Sequence, residues 1–331
     1  MSSAPTAAEI VRDAGWLAQA LDPASGMLRI VQMDRDSYRN ASFLDDRMLQ
    51  KQHFAGIVPW ASVAEALTAD ARTDARWIFH IGHVGSTLVA RLLGEIPGVL
   101  SVREPRVLRD IAALPKERRA DFIPAVQKLV SRTFASDEMA LVKATSFVSE
   151  LAAELVPPGE RALFMYATPR NYIASILAGD NSVEEMVALA PSRAARISTR
   201  ASLPQPRNAA EAAAAAWACE MTSLEAASEA MANGPVARAN FDFMLADMPA
   251  ELARVADFFG FDTADVESIA TGPLMGRYSK ATEHEYTPSL RRDLIAEAEG
   301  ANRADIDSAL AMLQSAAENS PLLKRALERS A

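Results

Sequence analysis

Five short, almost wholly apolar runs constrain this chain more than any other feature. They occupy residues 77–81, 98–102, 139–142, 162–166 and 235–239, and segments of helical periodicity separate them. Runs this short and this apolar are strands with both faces buried, which is the signature of a parallel sheet covered on two sides. The connecting stretches 123–134, 171–178, 209–232 and 249–259 read as helices, the last stopped by Gly260. The pattern predicts an α/β fold of three layers, with a central parallel sheet of about five strands.

The two ends of the chain stand outside this alternation. Residues 1–75 read as helices plus one short extended piece, "MLRIVQM". After the core, "LRRDLIAEAEG" and "ADIDSALAMLQSAAENSPLLKRAL" read as surface helices. The expected organisation is an N-terminal addition over 1–75, an α/β core over 76–288 and C-terminal helices over 289–331. Residues 190–208, rich in Pro, Ser and Arg and poor in apolar side chains, read as a loop.

Half of the 331 residues are apolar, which is a globular composition. The formal net charge of −9 argues against bulk nucleic-acid binding and leaves room for a local basic pocket. Cys219 is the single cysteine, so no disulfide can form within the chain. The start "MSSAPTAAEIVRDAG" lacks the basic and apolar regions of a signal peptide. No apolar run approaches the roughly 20 residues needed to cross a bilayer. These features predict a cytoplasmic protein without a membrane span, and nothing in them speaks to oligomeric state.

The first apolar run, "WIFHI", meets Gly82-His83-Val84-Gly85-Ser86-Thr87, and a helical pattern starts at once. A glycine-containing turn from strand to helix converges backbone N–H groups and the positive helix end on one point. Gly82, Val84 and Gly85 with the hydroxyls of Ser86 and Thr87 therefore make a cradle for phosphate or sulfate. The same residues also suit a tight turn in which Ser86 merely caps the helix. A nucleoside-triphosphate loop would carry a lysine just before the Ser/Thr, and here there is none.

With the other strand ends included, the arrangement resembles the sulfotransferase superfamily, over about residues 76–285. The loop is similar to the family's Lys-x-Gly-Thr/Ser-Thr segment for the 5′-phosphosulfate. "SVREPRVL" (101–108) resembles a Lys/Arg-Glu-Pro segment, and "LVKATSF" (141–147) a strand ending in Lys-x-His. "ATPRNYIAS" (167–175) resembles the 3′-phosphate motif Arg-x-Pro-Arg/Lys with its helical Ser. "VARANFDFMLADMPAELARVADFFGF" resembles the fifth strand, acidic turn and closing helix. Three positions depart from the family: its loop lysine falls on His83, its histidine base on Thr145 and its first phosphate arginine on Ala167.

The resemblance implies a donor of the 3′-phosphoadenosine-5′-phosphosulfate type and a hydroxyl or amine acceptor that the sequence does not identify. It implies His83 and Lys143 as sources of positive charge and Glu104 as general base. Arg170 and Ser175 would hold the 3′-phosphate, joined by Arg277 and Lys280 from a late loop that also carries Tyr278. His83 supplies a cation only when protonated. For Glu104 the plainer alternative is an ion pair with Arg103 or Arg106. For Lys143 it is a salt bridge to Glu104, and for Arg170 a place on the surface. His80 reads as a hydrogen-bonded core residue, and His53, His80 and His83 show no metal-ligand spacing, so no metal is expected. A P-loop phosphotransferase and a non-catalytic nucleotide-binding protein are the rival functions.

Overall fold

The computed structural model describes residues 5–51, 55–231, 234–277 and 287–330. Three strands come first, β1 Trp16–Asp22, β2 Met27–Gln32 and β3 Ala55–Pro59. They form an antiparallel sheet in the order β1-β2-β3. This corrects the expectation of a single extended piece before residue 75. The hairpin between β1 and β2 has a local cause. Asp22 accepts from the backbone N–H of Ala24 at 3.0 Å and from the Ser25 hydroxyl at 2.6 Å, and Gly26 takes the left-handed conformation at φ 67°. β1 was hidden because "WLAQALD" after Trp16 is built of weak strand formers, and its partner β2 supplies the pairing.

The core sheet contains β4 Arg76–His80, β5 Val99–Arg103, β6 Met139–Lys143, β7 Ala162–Tyr166 and β8 Val236–Asn240. All pairs are parallel and the order is β5-β6-β4-β7-β8. Each strand lies within one residue of its expected position. From β4 the chain crosses to the far edge of the sheet, while the connections after β6 and β7 run the other way. Right-handed crossovers put these connections on opposite faces, so a crevice opens beyond the carboxyl end of β4. The helix Ser86–Leu93 packs with Met248–Phe259, whereas Ala209–Ala230 packs with Pro169–Leu177 and the turn Ser146–Leu151.

Two other segments differ from expectation. Residues 190–197 are not loop: a helix, Asp180–Ile197, runs through Pro191. Its arginines look solvated in the sequence, yet Arg196 pairs with Glu150 and Glu220, and Arg193 with Glu220. These cross-helix partners, with buried Met186 and Ile197, anchor a segment whose proline removes one backbone donor. The C-terminal helices Arg303–Ala317 and Pro321–Ser330 lie against Ala209–Ala230, burying Ile306, Ala309, Leu313, Leu323 and Ala326 completely. Alanines on both sides let these helices approach closely.

Candidate functional site

A cavity of about 850 Å³ opens at the carboxyl ends of the core strands. Gly82, His83, Val84, Gly85, Ser86 and Thr87 form part of its wall. Gly82 (φ 84°), His83 (φ 53°) and Gly85 (φ 63°) are all left-handed, which curls the chain tightly from β4 into the helix. Gly85 is the N-cap and Ser86 the first helical residue, so Ser86 does not cap the helix. The N–H groups of this first turn have no acceptor within the helix. A Cβ on Gly85 would lie 1.9 Å from the ring of Phe241, so glycine is required there for space as well as for φ. His80 is a buried structural residue: its Nδ1 accepts from Gly82 N–H at 2.9 Å. Its Nε2 therefore carries the proton and donates to the Ala144 carbonyl, also at 2.9 Å.

The second wall comes from β5 and β6. Their register sets Arg103 beside Lys143, and Glu104 N–H donates to the Lys143 carbonyl at 2.7 Å. Glu104 is left-handed at φ 51°, and with His83 it is one of two non-glycine residues of positive φ among the described residues. Its Oε1 accepts from Lys143 Nζ, and its Oε2 accepts from Thr145 Oγ1 at 3.3 Å. Arg47 Nη2 stands 3.6 Å from the same Oε2. Lys143 is 1 % exposed, and its Nζ also donates to Thr87 Oγ1 at 3.2 Å. One ammonium thus joins the loop helix to the carboxylate.

Neither neighbouring arginine pairs with Glu104. Arg103 points to the opposite side of the strand, donating to the carbonyls of Tyr38, Arg39 and Ala41 at the end of the helix Arg35–Asn40. Burial lowers its pKa. Arg106 bonds to Asp46 and, at 3.2 Å, to Asp110. Arg47 instead grips Asp45, with Nη2 2.6 Å from Oδ2, and lies 3.4 Å over the Phe43 ring centroid. Burial raises the Asp45 pKa, but the bonds and charge of Arg47, with that of Arg109, outweigh it and hold this carboxyl below its ordinary value.

His83 lines the cavity with Nε2 3.8 Å from Glu185 of the helix Asp180–Ile197, and its ring meets Tyr172 edge-on. Ser175 and Arg277 also line it, although the Ser175 hydroxyl donates back to the Tyr172 carbonyl at 2.8 Å. Arg170 does not line it: this side chain turns to Glu299 at 3.1 Å and Asp307 at 2.6 Å. Lys280 and Tyr278 lie outside the described residues.

Sequence reasoning missed Arg47, Arg109, Arg193, Arg196 and Arg291, all of which line the cavity. With them, seven Lys and Arg residues line it against five carboxylates among the described residues, a locally basic site on an acidic protein. The "LDDR" cluster at 44–47 was the one visible signal, and no periodicity ties it to β5. Among the described residues three of these arginines keep a buried nitrogen without an acceptor: Arg193 Nη1, Arg196 Nε and Arg291 Nη2. Among the described residues no group of His, Cys, Asp and Glu is placed to hold a metal, and no helix is long and apolar enough to cross a membrane.

Fold and site together define a three-layer α/β protein with a glycine-bent strand-to-helix loop beside a buried Glu–Lys pair. No family model matches the chain, and no curated protein matches it significantly. Among solved structures, it is similar to the sulfotransferase domain from the curacin biosynthetic pathway. That domain is 11% identical, with 66% of this chain and 85% of that one covered and a TM-score of 0.43. The sulfotransferase domain of the Synechococcus PCC 7002 olefin synthase is 15% identical, covering 68% and 86%, with a TM-score of 0.38. A sulfotransferase from Alicyclobacillus acidocaldarius is 16% identical, covering 74% and 95%, also with a TM-score of 0.38.

Proposed function

We propose that this chain is a sulfotransferase-like enzyme that moves a sulfuryl group from a 3′-phosphoadenosine-5′-phosphosulfate-type donor to a hydroxyl or amine acceptor. The observation that carries the proposal is the array Thr87–Lys143–Glu104, in which one buried ammonium touches both the anion loop and a carboxylate. Left-handed backbone at both His83 and Glu104 supports it, because strain of this kind persists where a site needs a side chain aimed. Positive charge exceeds negative along the cavity, which suits an anionic donor.

In this scheme the donor supplies an activated sulfuryl group. Backbone N–H groups of the loop, with Ser86 and Thr87, hold its phosphate and sulfate oxygens. Glu104 takes the proton of the acceptor hydroxyl through Oε2, as the acceptor oxygen bonds to sulfur and the bridging S–O bond breaks. Lys143 stands where charge grows on the leaving phosphate oxygen, a place that the family's loop lysine would otherwise serve. His83, when protonated, adds a second positive charge from the loop itself. The work is positioning and charge stabilisation, as in phosphoryl transfer.

Isothermal titration with 3′-phosphoadenosine 5′-phosphate against ATP-Mg²⁺ tests the donor, and sulfuryl turnover over a panel of phenols and amines tests the chemistry. Preference for the bisphosphate with turnover is the expected result. Preference for ATP-Mg²⁺ would make the chain a phosphotransferase, and nucleotide binding without turnover over the panel would make it a binding protein.

A further inference from the structure

Arg170, the arginine expected to hold a second phosphate, is engaged by Glu299 and Asp307 away from the cavity. Another arginine comes in from the C-terminal helix Pro288–Ala301. Arg291 is 8 % exposed and lines the cavity. Its Nη1 donates to Asp242 Oδ1 at 2.8 Å, and the second oxygen of Asp242 accepts from Asn171 Nδ2 at 2.9 Å. Asn171 lies in the first turn of Pro169–Leu177, so Arg291 sits at the start of the helix that carries Arg170 and Ser175.

Its position relative to the anion loop is fixed through one ring. The guanidinium carbon is 5.1 Å from the centroid of Phe241, and that ring is the one lying against Gly85. Among the described residues Arg291 Nη2 is buried without an acceptor. A guanidinium N–H held from water with no partner is destabilising, and the planar fork is shaped to take an anionic oxygen alongside the one it already holds. We propose that Arg291 is a second anion-binding point, which holds the 3′-phosphate of the donor nucleotide while the loop holds its 5′ end. This rests on the donor assigned above.

The test compares 3′-phosphoadenosine 5′-phosphate with adenosine 5′-monophosphate, which lacks the 3′-phosphate, by isothermal titration. Wild type should favour the bisphosphate. Arg291→Met should weaken the bisphosphate roughly 10–100-fold while changing the monophosphate by no more than about 3-fold. Arg170→Met should leave both affinities as they are. Arg291→Lys keeps a cation beside Asp242 but loses the fork, so it should show a smaller loss confined to the bisphosphate, and it carries the test if the Met variant does not fold. Unchanged discrimination in the Arg291 variants, or equal loss for both nucleotides, overturns the assignment and leaves the donor standing. If wild type itself does not bind the bisphosphate, the donor is wrong and Arg291 loses its role with it.

Discussion

Lys143 Nζ lies 3.2 Å from the hydroxyl of Thr87, across 56 residues of chain. The contact arises because Lys143 ends β6, the strand hydrogen-bonded to β4, and Thr87 lies in the first helical turn after β4. A cation therefore reaches the glycine-bent loop from the adjacent strand although the loop carries no lysine of its own.

Because Lys143 also holds Glu104, removing the carboxylate has two consequences. Glu104→Gln should lower turnover by roughly 10²–10⁴ if the side chain is the base. It should also cost about 3–5 kcal/mol of stability, since it leaves a buried ammonium without its counter-charge. The effect exceeds that of a surface ion pair because both partners are buried. Adding Lys143→Met should restore much of the stability and none of the turnover, as denaturant unfolding and steady-state rates would show. Wild-type stability and rate in the single variant would remove Glu104 from both roles.

Gly85→Ala should be severe. The left-handed backbone costs alanine roughly 1–2 kcal/mol, and the overlap with Phe241 adds about 1–3 kcal/mol. Combining it with Phe241→Leu should recover the packing part and leave the backbone part. Equal melting temperatures for wild type and Gly85→Ala would show that the loop can move away from the ring.

His83→Gly separates strain from function. Glycine relieves about 1 kcal/mol or more of left-handed strain and adds about 0.5–1 kcal/mol of chain entropy lost on folding. The melting temperature should hold or rise while turnover falls. A variant that is both clearly less stable and fully active would show that the imidazole serves packing.

Asp45 offers a pH test. Its folded pKa lies below the ordinary 3.8, the bonds and charge of Arg47 outweighing burial. A carboxyl lowered in this way contributes stability that is present above the unfolded pKa and is lost as pH falls through the folded one. The melting-temperature gap between wild type and Asp45→Asn should stay level from pH 7 to about pH 5 and shrink below about pH 4. A gap that already closes near pH 6 would place this pKa above its ordinary value.

Strand positions were legible because burial on both faces is a local property: a run of four or five apolar residues reports it without knowledge of any neighbour. The glycines of the strand-to-helix loop were legible for a similar reason, since positive φ and close approach are demands made by a few consecutive residues. Charge partners were legible only in part: the Lys143–Glu104 salt bridge was one of the alternatives the sequence offered, and the other partners were not. Arg103 and Glu104 are adjacent in sequence and point to opposite sides of the chain, so Glu104 meets Lys143 while Arg103 closes the end of a helix near residue 40. Arg170 found Glu299 and Asp307, more than a hundred residues away, and Arg291 entered the cavity from the C-terminal helices. Strand order decides which side chains share a strand end, and helix packing decides which arginine turns inward. The amino-acid sequence by itself determined the layers, the five core strands and the bent loop and offered the Lys143–Glu104 pair as an alternative; tertiary packing decided which ions surround the loop, because each pair joins residues that only the assembled sheet and helices bring together.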